Sequence, residues 1–499
     1  MVVSLRLLPR RVSALLVHSK DRCKKAAPPA IAAGAAHRRA PPPHRFLPPR
    51  LPPRPRTEAW PRRDAAPHGS RAQPRCIVLA RRRGGAAHSR VTTTSLASRP
   101  HSVVSDTIMY GLADVGFAPY GECWRQARKL VTTHMLSVKK VQSFRSAAAE
   151  EVSMVMAKIN QATAADAAVY MSELLHTFAN DMACRIVSGK FFLKDGQSKL
   201  FQELIKDTSR LLGGFNLEEY FPSVGKVGVL MKAVCAKAER VRNRWADLLD
   251  KVIDNRVSKR NSTSDHKDDD FVDIMLSVQP EYDLTKEHMK ALLTDVIFGA
   301  IDTSANALEF TLAELMRKPH LMVKLQYEVR GIVPQGQVII SETDMNNMTY
   351  LRAVIKESLP PLAPLLAPHL AMADCIIDGY KVPAGTRVVG NAWAIGRDPS
   401  SWEYAEEFIP ERFTDEGSSM HVNFKGNDFQ FLPFGAGRRM CPGMNLGISN
   451  VELMLANLVC HFDWQLPLGV EGKDIDMTEV FGLTVRRKEK LLLIPKSRM

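Results

Sequence analysis

The strongest chemistry in the chain sits at Cys441. It lies in the run PFGAGRRMCPG, residues 433–443. Glycines at 435, 437 and 443 and proline at 442 make a tight loop just ahead of a helix pattern. A cysteine in such a loop meets backbone N–H groups and a helix N-terminus, and both favour the thiolate. A thiolate is a nucleophile or a soft metal ligand. Ligation by one cysteine suits a haem iron, whose porphyrin supplies the other four donors. Arg439, two residues upstream, is placed to pair with a haem carboxylate.

A second constellation is GAIDTS, residues 299–304. It falls inside a helix pattern spanning 285–317, about 48 Å long. That helix is apolar nearly all round, so it should cross the middle of a domain. Yet it carries Asp295, Asp302 and Glu309. Charges in a central helix need a partner or a task. The hydroxyl of Thr303 beside Asp302 is suited to holding water and passing protons.

The loop has the form Phe434-x-x-Gly437-x-Arg439-x-Cys441-x-Gly443, which resembles the haem-binding signature of the cytochrome P-450 superfamily. The full eleven-residue run is similar to that of the plant microsomal A-type group. GAIDTS resembles the family's oxygen-activation segment, with Ala300 where glycine is usual. FIPERF (408–413) resembles its PERF segment. Trp124 and Arg128, four apart and so on one helix face, resemble the pair that contacts the haem propionates. LLAPHL (365–370) resembles the segment whose basic residue, here His369, reaches a propionate. The likeness covers roughly 97–499.

The resemblance implies haem b with Cys441 as its axial iron ligand. Phe434, Gly437, Arg439, Gly443, Trp124, Arg128 and His369 would bind the cofactor, and Asp302 and Thr303 would be catalytic. It implies a monooxygenase that uses O2, with electrons from NADPH through a flavoprotein reductase. Substrate contacts are implied at 102–120, 207–222, 295–303, 361–367 and 481–484, stretches suited to a lipophilic small molecule such as a plant secondary metabolite. Arg125 and Lys129 would face the reductase. An endoplasmic-reticulum membrane location is implied, with a cytoplasmic or organellar one as the alternative.

Two departures stand out. The family's Glu-x-x-Arg motif is represented by Glu357, but Pro360 occupies the arginine slot, and the segment after it looks short. Arg412 remains as a partner for Glu357. Removing one member of a buried charged network costs about 3–5 kcal/mol. A non-catalytic, decayed member of the family is therefore the alternative reading. A haem-thiolate isomerase or dehydratase is the lesser one, disfavoured because it needs no proton relay such as Asp302-Thr303. The other departure is residues 1–96, which do not resemble the family's membrane anchor or first sheet strands.

The elements that position these residues set the fold class. The 499 residues carry 68 Lys plus Arg against 53 Asp plus Glu, a net charge of +15. Residues 1–100 hold 22 bases and three acids, and 15 of the 31 prolines. The positive charge thus belongs to a Pro/Arg-rich leader without helical or strand period. The slightly acidic remainder gives no reason to expect nucleic-acid binding. No window of eighteen uncharged apolar residues marks a spanning helix. Eight cysteines without a CxxC pair exclude a zinc ribbon and a disulfide scaffold, and fit a reducing compartment. Helix patterns run over 147–160, 165–187, 198–213, 226–257, 285–317 and 443–461. Short strand-like pieces (CIIDGYKV, TRVVGNAW, KLLLIP) follow residue 370. This predicts one mainly α domain over 97–499 with a smaller β region, a long central helix and the cysteine loop near its end.

Overall fold

The computed structural model describes residues 76–79, 94–189, 197–214, 228–262, 270–362, 364–377 and 380–498, all within one compact unit, 65–499. The element order follows the hydrophobic periodicity. Before the centre come α1 (Val103–Ile108), α2 (Glu122–Leu130), α3 (Arg145–Ala164), α4 (Met171–Ser188), α5 (Gln197–Leu212), α6 (Gly228–Ser262) and α7 (Phe271–Tyr282). The central helix is α8 (Lys286–Arg317), followed by α9 (Pro319–Ile332), α10 (Thr349–Ser358) and α11 (Met444–His461). The expected helices all form, most with ends moved by one to five residues. The largest shift is at α4, where 165–170 is taken by a turn and the strand β2 (Val169–Tyr170).

Helix α8 is buried on nearly every side, from Leu292 and Ile297 to Leu308 and Leu312. It starts at a capping box: Thr285 Oγ1 accepts from His288 N–H, and His288 accepts from Thr285 N–H. It packs along α4 and against α11, so one apolar core surrounds it. All three of its inner carboxylates have partners. Asp295 accepts from the Val115 and Gly116 N–H groups at 3.1 and 3.0 Å. Glu309 accepts from Ser172 and pairs with Arg487. Asp302 lies 3.9 Å from His176.

The strands form small sheets at the edge of the helical body. β1 (Cys76–Leu79), β6 (Arg387–Gly390) and β3 (His369–Leu370) make one, with β1 parallel to β6. The expectation that residues before 97 supply no strand is therefore corrected. The four-residue run CIVL, set in an Arg-rich stretch, has the length to pair with RVVG in full register. β4 (Cys375–Ile377) and β5 (Tyr380–Val382) form a hairpin. β10 (Leu492–Ser497) joins β2 to β7 (Phe462–Gln465), and β8 (Glu479–Val480) pairs with β9 (Arg486–Arg487).

Candidate active site

The Cys441 loop is built by backbone geometry. Gly435 and Gly437 take φ of 68° and 67°, which an L side chain resists. Cys441 N–H donates to Phe434 O at 2.9 Å, closing the loop, and α11 starts three residues later. Phe434 packs edge-on to Phe424, 5.6 Å between centroids. The Cys441 side chain is accessible although protein surrounds it, so it lines an internal hollow. Burial pushes its thiol up, with the Gly443 N–H and Arg128 pulling the other way. The expectation that the loop by itself yields a thiolate is thus corrected: desolvation outweighs the local dipoles. An iron ion at that sulfur would reverse the balance, since a coordinating thiol is deprotonated outright.

Three guanidinium groups gather beside this loop. Arg439 lies 4.1 Å over the Trp124 ring and donates to Ala97 O, Val115 O and Ala118 O at 2.6, 3.2 and 2.6 Å. Burial and neighbouring Arg99 push it down to about 9. Arg99, which sequence reading missed, donates to Gly116 O, Ala367 O and Pro368 O, and burial pushes it down to about 10. Arg128 is largely desolvated, feels Cys441 and Asp295, and has no hydrogen bond from its guanidinium among the described residues. Trp124 and Arg128 share a face of α2, as their spacing required, and Trp124 Nε1 donates to Val115 O. His369 Nδ1 donates to Leu96 O at 2.7 Å in the same region.

Two buried carboxyls, Asp114 and Asp295, offset part of this charge; burial, and after it the proximity of Asp295, pushes Asp114 up to about 7. Three cations against two carboxyls, one cation without a donor contact, suit a ligand that brings its own carboxylates. A thiol within electrostatic reach of Arg128 suits a metal in that ligand. The residues therefore fit a haem, with Cys441 on the iron and the guanidinium cluster on the propionates.

On α8, Thr303 Oγ1 donates to Gly299 O at 2.7 Å. No hydrogen bond joins Thr303 to the Asp302 side chain, which is turned toward His176 instead. The sequence brought these two residues together by adjacency, but the helix points them differently. Arg125 and Lys129 are exposed on the other side of α2; Arg125 pairs with Glu122, and Lys129 lies over the Tyr282 ring.

Behind the loop, Glu357 keeps one partner. Arg412 Nε reaches its two carboxylate oxygens at 3.2 and 3.0 Å, and Ile409 N–H donates at 2.9 Å. Arg412 also donates to Glu403 O, Tyr404 O and Glu407 O. Pro360 begins a short 3-10 turn and borders a cavity of about 180 Å³ that Glu357 and Arg412 also line.

Of the expected substrate segments, 102–120 and 295–303 meet through the Val115 and Gly116 N–H groups on Asp295, and 207–222 meets 481–484. The end of α5 abuts the 481–484 turn, and a Cβ on Gly213 would stand 2.5 Å from Leu483 N. Residues 215–222 lie outside the described residues. Ala300 and Val296 line a small apolar cavity with Phe178 and Leu446.

The chain is similar to known proteins along most of its length. The family model for Cytochrome P450 matches residues 86–494. An indole-2-monooxygenase of Zea mays is 52% identical over 405 residues, 80% of this chain and 75% of that protein. An indolin-2-one monooxygenase of Zea mays is 49% identical over 410 residues, 80% of this chain and 76% of that protein. A zebra fish cytochrome P450 structure with progesterone aligns with a TM-score of 0.71 at 22% identity, covering 84% of this chain and 93% of that one, which speaks for the fold alone.

Proposed function

The chain belongs to the cytochrome P450 family, in its plant A-type group, and on that premise we propose that it oxygenates a small, flat, indole-type heterocycle. The family makes it an oxidoreductase, a haem-thiolate monooxygenase acting on a lipophilic small molecule. Bound haem supplies oxygen activation, with electrons from NADPH through a flavoprotein reductase. The balance is R–H, O2, NADPH and a proton giving R–OH, water and NADP⁺.

The protein's own residues do the rest in this reading. Cys441 holds the iron, with Phe434, Gly437 and Gly443 shaping its loop. Arg99, Arg128 and Arg439, with Trp124 and His369, hold and orient the propionate side. Thr303 and Asp302 serve proton delivery on the opposite side. Arg125 and Lys129, with Arg438 exposed nearby, present a basic face to the reductase.

The observation that carries the substrate class is the half-identity to two maize enzymes that act on indole and indolin-2-one. The segments expected to meet substrate support it. They carry Phe117, Phe298 and Phe481, and of their carboxylates Asp295 accepts from the Val115 and Gly116 N–H groups while Asp302 faces His176. Aromatic side chains in these segments suit a planar heterocycle.

The persistence of the Glu357–Arg412 pair supports a competent enzyme over a decayed one. The reading takes the chain from β1 onward as the catalytic domain, with the basic residues ahead of β1 outside it, and places the protein at the endoplasmic-reticulum membrane. No helix of the described residues is long and apolar enough to cross a membrane.

The test is the full chain, haem-loaded, with reductase and NADPH, offered indole and indolin-2-one separately. The expected result is a product one oxygen atom heavier from at least one of them. Oxygenation of neither, with a non-aromatic lipid oxygenated under the same conditions, would overturn the substrate class.

A further inference from the structure

Asp302 faces His176 across the α4–α8 contact, Oδ1 to Nδ1 at 3.9 Å. That juxtaposition is fixed by a buried contact further along the same helices. Ser172 is four residues before His176 on α4, and Glu309 is seven after Asp302 on α8, so each pair shares a helix face. Ser172 Oγ donates to Glu309 Oε1 at 2.8 Å, and Arg487 Nη1 pairs with the same oxygen at 3.3 Å. With Arg487 and Glu309 2% and 6% exposed, this triad sets the register of the two helices. Arg486, next to Arg487 on β9, is thereby brought near Asp302.

His176 gives the pair its side toward solvent, with 28% of its side chain exposed, while Asp302 sits deeper. Burial pushes the Asp302 carboxyl up, and the charges that hold it down are His176 from α4 and Arg486 from β9. Such a carboxyl exchanges protons more readily near neutral pH than an open one.

We propose that His176 is the positioning and proton-exchange partner of Asp302, linking solvent to the Thr303 side of the site. This rests on the monooxygenase reading. The protonated imidazole gives its Nδ1 proton to Asp302 Oδ1. The neutral ring takes a new proton from solvent. The Asp302 acid then turns and gives its proton to water at Thr303 Oγ1, which restores the carboxylate. One proton moves inward and no electrons move. Closing the 3.9 Å gap to hydrogen-bond length takes about 1 Å.

The test uses His176→Ala and His176→Gln in the full, haem-loaded chain. Glutamine keeps a hydrogen-bonding side chain but carries no proton between pH 5 and 9. Two quantities are read. One is the fraction of NADPH electrons recovered in product rather than peroxide, across pH. The other is the pH at which the Asp302 carboxyl band appears in infrared difference spectra, identified by its loss in Asp302→Asn. Both variants should lower the productive fraction about tenfold and flatten its pH profile. In His176→Ala the carboxyl band should persist to higher pH, because one of its cations is gone. Wild-type coupling in both variants, full rescue by glutamine, or an unmoved infrared band would each overturn the proposal. The infrared reading needs no turnover, and haem loading is checked separately by the reduced carbon-monoxide spectrum. Failure of the monooxygenase reading is thus distinguishable from failure of the His176 role.

Discussion

Arg412 and Glu357 are locked together at 3.0 Å with both side chains nearly buried, while Pro360 stands one turn after the glutamate. A buried carboxylate is thus satisfied by one guanidinium and one backbone N–H. Arg412→Ala would leave it unpaired. The expected loss is about 3–5 kcal/mol in chemical unfolding, with reduced haem retention. A loss below about 1 kcal/mol would mean that the pair carries little of the stability.

Pro360 borders the cavity of about 180 Å³ beside that pair. Pro360→Arg would place a second cation there. We expect a higher melting temperature and slower haem loss, measured by thermal scan and haem transfer to an acceptor protein. A lower melting temperature would mean that the cavity cannot receive the longer side chain.

Burial also pushes Glu357 up to about 7 from its ordinary 4.5, despite Arg412. Between about pH 4.5 and 7 the folded state therefore keeps a proton that the unfolded state has lost, and above that range Glu357 is the carboxylate paired with Arg412. By linkage, this group's contribution to stability is unaffected below about pH 4.5 and becomes less favourable as pH rises toward 7, by about 3 kcal/mol in all. Glu357→Gln should remove that slope. Unfolding free energies of both proteins at several pH values between 4.5 and 7.5 test it; parallel curves would contradict it.

Gly213 meets the 481–484 turn backbone to backbone, where an added Cβ would stand 2.5 Å from Leu483 N. Gly213→Val should force α5 away from that turn and weaken binding of a flat ligand about tenfold, read by spectral titration. An unchanged affinity would separate this contact from the substrate cavity.

Much of this was legible in the sequence because it is local. The glycine-rich loop announced Cys441, and the four-residue spacing of Trp124 and Arg128 put them on one face. The apolar period of 285–317 gave the central helix, and its three carboxylates signalled partners to be found. What those partners were was not legible. His176 is 126 residues from Asp302 and sits in an ordinary amphipathic pattern. Arg99 reads as one more base at the end of a basic leader, yet it is buried and bonded to carbonyls of residues 367 and 368. The thiol's direction was misjudged because a loop's dipoles are visible in sequence and its desolvation is not. The strand at 76–79 was missed because four apolar residues carry no period of their own; only the partner strand gives them one.

The central claim is that Cys441 ligates a haem in this chain with Pro360 in place. The direct measurement is the carbon-monoxide difference spectrum of the reduced, full-length protein. The account predicts a red-shifted, thiolate-type Soret band that is lost in Cys441→Ala. No band, or only the unshifted band of a protonated thiol, would contradict it.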